Sequence, residues 1–219
     1  KKYFQMRLNT KEEFFFFFNE DLAWRKKELT YIKSNIKDGT PNYKTNLRIG
    51  VLLLYAHYEG FIKSACENYL KHIKLKRLNY VELKENILAT SLKYELKNFE
   101  ESNKATVHCQ IIDFIQNKLN QRANIPTDNV IKTGSNLSSH ILREILTTVG
   151  IDYTNYELKS NLIAQILLKN RNSIAHGEYV PLDEVEYSEL NREILFIMDD
   201  IKDRLTNIVV LEEYKKTIA

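Results

Sequence analysis

Six glycines and three prolines are all that interrupt 219 residues, and this scarcity constrains the fold more than any motif does. Average usage is about 7% Gly and 5% Pro. A chain with so few positions for left-handed turns or fixed φ angles runs in long elements. Elements of that length are helices, because strands average about six residues. Hydrophobic residues make up 43% of the chain, enough for a core, and 219 residues suit one domain spanning 1–219. The net charge of +3 permits a polyanion partner without demanding one.

Several function classes drop out. Cys66 and Cys109 lie far apart with no CxxC spacing, which argues against a disulfide framework or a thiolate metal site and places both in the core. No apolar run approaches the ~20 residues of a membrane span. The start, Lys1 to Arg7, has no leader-like apolar stretch, so a cytoplasmic protein without membrane association is expected. HExxH, P-loop and GxGxxG patterns are missing, and no metal or cofactor is implied.

Thr10 and Glu13 have capping-box spacing and open a first helix. Phe14, Phe18, Leu22, Arg25 and Leu29 follow at helical intervals, and the helix ends before Asp38-Gly39-Thr40-Pro41. Five consecutive phenylalanines, Phe14 to Phe18, cannot share one face. The helix is either buried on two sides or presents an oligomer surface. A second helix runs from Tyr43 to about Ile73, a third over 81–100, and a fourth over 105–122. Ser135 or Asn136 caps a helix that Gly150 ends. One helix spans Tyr156 to Ala175, and a last one runs from Asp183 or Val185 to near Tyr214. The result is an all-α bundle of about six to seven helices.

The segment Lys169-Asn170-Arg171-Asn172-Ser173-Ile174-Ala175-His176-Gly177-Glu178 carries the chemistry. Cleaving RNA without a metal needs a base for the 2′-hydroxyl, an acid for the leaving oxygen and donors for the charged phosphorane. An imidazole such as His176 moves protons near neutral pH. The planar fork of Arg171 matches phosphate oxygens. Asn172 can donate to phosphate or orient the imidazole. Asn172 and His176 are four apart and share a face. Arg171 and His176 diverge by roughly 140° on a regular helix. They meet on one phosphate if the helix unwinds near Gly177, if Arg171 wraps around, or if a two-fold dimer supplies one residue from each chain. A purely structural reading has Arg171 on a carboxylate and His176 on helix carbonyls.

Arg171-Asn172-x-x-x-His176, late in a helical chain, resembles the signature of the HEPN superfamily. Three further stretches are similar to its MAE-like bacterial branch: Asp21-Leu22-Ala23-Trp24-Arg25-Lys26-Lys27-Glu28-Leu29, Tyr55-Ala56-His57-Tyr58-Glu59-Gly60-Phe61-Ile62-Lys63, and Ser135-Asn136-Leu137. The five-phenylalanine run lies outside that pattern. The resemblance implies a helical bundle, a homodimer that brings two motifs together, and metal-independent endoribonuclease activity in active members. It places the catalytic pair on Arg171 and His176, with Asn172 beside them. Such proteins often act as toxins or in anti-phage defence, commonly with a neutralising antitoxin partner. Others only bind RNA or protein.

Arg48, Tyr55 and Glu59 lie at i, i+7 and i+11, near one face of the second helix. A charged group on such a face is rarely buried unpaired. Glu59 therefore pairs with Arg48, orients His176 or fixes Arg171; alternatively it serves only an internal or surface ion pair, such as Glu59–Lys63. Gly60, inside the helix, suggests a close approach. Asp199 and Asp200 face different ways and are expected in solvent. Tyr80, among Lys71, Lys74, Lys76 and Arg77, is a candidate for stacking a base.

Overall fold

The computed structural model describes residues 8–95, 105–159 and 164–217. Helix α1 (Lys11–Ser34) starts at the expected capping box. Glu13 N–H donates to Thr10 Oγ1 at 3.1 Å, and Thr10 N–H donates to Glu13 Oε2 at 3.2 Å. Phe14, Phe18, Leu22, Arg25 and Leu29 are its buried residues, matching the sequence periodicity. Phe15 and Phe17 pack half-buried against the core, and Phe16 is exposed. The phenylalanine run thus wraps most of the helix circumference.

Helix α2 (Tyr43–Leu75) is the axis of the molecule. Its buried residues run from Leu47 to Ile73 and include both His57 and His72. It packs against α1, α5 (Ser139–Val149), α6 (Lys169–Ala175) and α7 (Glu184–Val210). A helix enclosed on several sides carries few exposed positions, and this explains the dense apolar spacing of the segment. Helix α7 begins at a second capping box, Asp183 with Glu186.

The expected third helix starts later than residue 81. A 3-10 turn at Tyr80–Glu82 precedes α3 (Glu85–Glu95), and residues 96–104 lie outside the described residues. Helix α4 (Ala105–Asp113) passes into a π turn, Phe114–Lys118. Ser138, not Ser135 or Asn136, caps α5, with Ile141 N–H donating to Ser138 Oγ at 3.4 Å. Ser135 has φ 57°, whereas a cap needs extended backbone such as Ser138 provides at ψ 167°. Gly150 ends α5 at φ 82° as expected. Of the helix expected over 156–175, residues 160–163 lie outside the described residues, and the rest is not one regular α-helix. A 3-10 turn, Tyr153–Tyr156, leads into helical residues 157–159, and a π turn, Ala164–Leu168, feeds α6. One wider i→i+5 turn rotates later side chains by roughly 100° relative to a continuous α-helix. Among the described residues there is no strand, only the isolated bridges Asn79–Arg122 and Leu83–Lys215. No helix of the described residues is long and apolar enough to cross a membrane.

Four smaller expectations need correcting. Cys66 is buried, but Cys109 is exposed. Asp199 pairs with Lys26 at 2.6 Å, and Asp200 takes a short bond from the Tyr156 hydroxyl and an ion pair from Arg204 at 2.7 Å. These two carboxylates do face different ways, and each has side-chain partners while staying partly exposed to water. Tyr80 is buried against Phe114 and accepts the Asn124 N–H at 3.0 Å, so its ring is closed to a base. Gly60 makes room for a side chain, not a helix backbone: a Cβ there would sit 2.9 Å from Arg25 Nη1.

Candidate functional site

Helix α6 stays regular to its end. The His176 N–H donates to the Asn172 carbonyl at 3.0 Å, and Gly177 then takes the left-handed conformation at φ 79°. Gly177 N–H bonds the Ile174 carbonyl at 3.0 Å and Glu178 N–H bonds the Ser173 carbonyl at 2.9 Å. That pair of bonds is a Schellman closure, which requires the residue after the cap to be left-handed and so favours glycine. The unwinding before His176 that the spacing allowed does not occur. His176 sits as the C-cap, exposed, on the same face as Asn172.

Arg171 instead bends round. Its Nη1 donates to Asn172 Oδ1 at 2.7 Å, and its guanidinium carbon lies 4.5 Å from the centre of the Tyr55 ring. A planar cation over an aromatic face is held by about 0.5–2 kcal/mol. Among the described residues Arg171 has no carboxylate partner and the His176 ring no hydrogen-bond partner. The purely structural arrangement, arginine on a carboxylate and imidazole on helix carbonyls, is therefore not what the described residues form.

Tyr55 is itself fixed. It is buried, and its hydroxyl accepts the Leu137 N–H at 2.7 Å. Burial pushes its phenol up to about 12, and the Glu59 carboxylate beside it adds to the rise, against the Leu137 bond. Arg48 and Glu59 share a face but stand roughly 16 Å apart along the axis, too far to pair. Arg48 instead donates Nη1 to the Glu178 carbonyl at 2.6 Å, pinning the chain just past the motif. Asn172 Nδ2 reaches Asn136 Oδ1 at 3.4 Å. Hence three stretches singled out in sequence meet here: Tyr55 with Glu59, Asn136 with Leu137, and Arg171 with Asn172.

The fourth stretch lies on the other side of α2. Asp21 Oδ1 accepts from Trp24 Nε1 at 3.0 Å and Arg25 Nε at 3.2 Å, and Arg25 Nη1 donates to the His57 carbonyl at 3.3 Å. His57 Nε2 is 2.7 Å from Glu28 Oε2. Desolvation lowers the His57 pKa, with Glu28 opposing. This cluster ties α1 to α2 and does not reach Arg171.

Sequence reasoning missed a cleft beside the motif, lined in part by Tyr43, Lys44, Arg48, Ile174 and Tyr179. The stretch Glu178-Tyr179-Val180, which supplies part of its wall, is irregular. Among the described residues no three His, Cys, Asp or Glu side chains cluster as a cation site would require.

Neither a curated protein nor a solved structure gives a significant match to the chain. The family model described as RiboL-PSP-HEPN matches residues 20–207, a span that includes Tyr55, Asn136 and the whole Arg171–His176 segment. The protein belongs to the RiboL-PSP-HEPN family of the HEPN superfamily.

Proposed function

We propose that the protein is a metal-independent endoribonuclease that acts as a two-fold dimer, in a cytoplasmic toxin or anti-phage defence role. Placement in the MAE-like branch is part of this reading and rests on the four quoted stretches. One observation carries it: Arg171 is held by a π face and an amide oxygen, with no described carboxylate neutralising it. Its charge is left for a phosphate.

In this reading His176 accepts the proton of the 2′-hydroxyl or returns one to the 5′-oxygen. The 2′-oxygen attacks phosphorus, the P–O5′ bond breaks, and a 2′,3′-cyclic phosphate and a 5′-hydroxyl remain. Arg171 stabilises the charge that develops on the phosphorane. Asn172 sets the guanidinium and lies on the imidazole's face. Arg171 and His176 of one chain leave α6 roughly 140° apart, and the guanidinium then bends back to Asn172 Oδ1 at 2.7 Å. A dimer in which α6 faces its copy brings the arginine of one chain toward the histidine of the other.

A substrate with a single ribose in an otherwise 2′-deoxy strand tests the chemistry. The proposal expects cleavage only 3′ of that ribose, in excess chelator, with a cyclic phosphate end. Cuts at deoxy positions would overturn it. A binding-only module is the second reading. It is favoured by Asn172, whose amide is engaged by Arg171 at one end and Asn136 at the other. It expects RNA retention without cleavage. The exposed Phe16 is the surface on which an antitoxin or other second protein would dock.

A further inference from the structure

We infer that the cleft between the start of α2 and the chain just past the motif is a subsite for a nucleobase of single-stranded RNA, next to the scissile phosphate. The inference rests on the nuclease reading and names how its substrate is held. The cleft measures about 120 Å³. Its floor includes Val51 and Ile174, both buried. Ile174 belongs to α6, two residues before His176, and Tyr179 follows His176 by three. The two walls are tied together by the bond from Arg48 to the Glu178 carbonyl. A group seated here is therefore close in sequence and in space to the motif.

The lining is of the kind that accepts a base and its phosphate together. Tyr179 is 74% exposed, with Lys44 Nζ 5.9 Å from its ring centre. Its aromatic face is open to solvent on a segment held at both ends, by Arg48 and by the α7 cap. Tyr43 is fixed by accepting the Glu184 N–H at 3.0 Å. Lys44 and Arg48 supply two cations, and none of the nine lining residues is acidic. Aromatic rings stack any base, while lysine and arginine track the adjoining phosphates. A docking helix or peptide strand needs a longer apolar groove, with several anchor positions. A short cleft with one open ring and two cations suits one nucleotide.

The test uses a fluorescent single-stranded oligonucleotide that is 2′-deoxy throughout, so that binding is read without cleavage. Tyr179→Ala is expected to weaken its Kd about tenfold, the value of one lost base stack. Tyr179→Phe, which keeps the ring, is expected to stay within about twofold. An all-ribose strand is assayed for cleavage in parallel. Unchanged binding in Tyr179→Ala, with wild-type cleavage present, overturns the subsite and spares the nuclease. Tyr179-dependent binding without cleavage keeps the subsite and overturns the nuclease. If the wild type neither binds nor cuts, both are wrong. Loss of a protein partner in Tyr179→Ala, with oligonucleotide binding unaltered, also overturns the subsite.

Discussion

The guanidinium of Arg171 lies over the ring of Tyr55, 4.5 Å from its centre. That contact joins the motif helix to the central helix, and it makes the arginine's position depend on an aromatic face rather than on an acid. Removing the face should therefore disturb the cation without creating an unpaired buried charge.

Tyr55→Phe keeps the ring and loses the bond from Leu137 N–H. It should retain most RNA cleavage while lowering stability by about 1–2 kcal/mol. Tyr55→Leu removes the π face and should cut the rate at saturating RNA well below that of Tyr55→Phe. Initial rates and unfolding curves for the pair decide the matter; equal rates would show that the stacking is incidental.

Gly60→Ala sets two effects against each other. A helical alanine gains about 1 kcal/mol over glycine. The new Cβ would meet Arg25 Nη1 at 2.9 Å, disturbing its bonds to Asp21 and to the His57 carbonyl. Losing the charged hydrogen bond from Nη1 to the His57 carbonyl costs about 1.5–3 kcal/mol, so the net change should be destabilising by roughly 1 kcal/mol. A rise in Tm would mean that Arg25 relaxes freely and that Gly60 has another role.

His72 makes stability fall in acid. It is buried, with Nδ1 2.7 Å from the Leu8 carbonyl and Nε2 without a partner. Desolvation lowers its pKa from 6.5 to about 4. The folded state thus resists a proton that the unfolded chain accepts. Full stability holds above the unfolded value of 6.5, declines as pH falls toward about 4, and then levels off. The loss is on the order of 3 kcal/mol, and the lowered pKa of His57 acts in the same direction. Denaturant midpoints for wild type and His72→Gln between those pH values should converge in acid. An unchanged pH slope in His72→Gln would rule this source out.

The phenylalanine run separates core from surface. Phe18→Ala should cost about 3–5 kcal/mol, because Phe18 is buried edge-on against Phe14 at 4.4 Å. Phe16→Ala should change stability by less than about 0.5 kcal/mol. If a second protein docks there, Phe16→Asp should release it in a pull-down while the fold stays intact.

The elements legible in sequence were those decided locally. The capping box of Thr10 and Glu13, the buried face of α1 and the stop at Gly150 depend on residues within a turn or two of one another. The π turn at Ala164–Leu168 was not legible, because no Gly or Pro marks that stretch. At the site, the residue types and the shared face of Asn172 and His176 could be read from spacing. The Tyr55 platform, the Asn136 bond and the detour of Arg48 to a carbonyl could not, since each joins segments that are distant in sequence. The idea that Arg48 and Glu59 pair came from matching faces while ignoring the rise along the helix.

The dimer makes a separate claim. Arg171→Ala and His176→Ala are each expected to be inactive alone. Mixed and allowed to exchange subunits, they should recover up to about a quarter of wild-type activity, since half of the dimers are mixed and each holds one complete site of two. No recovery despite verified exchange would place both residues in one chain's site.

The central claim is that His176 moves the proton. The most direct measurement is RNA cleavage by purified His176→Ala in excess chelator, beside its thermal unfolding. His176 is exposed and caps the helix through its backbone, so the variant should unfold near the wild-type temperature. Cleavage should fall by about 100-fold or more. Wild-type cleavage rates in a well-folded His176→Ala would contradict the account.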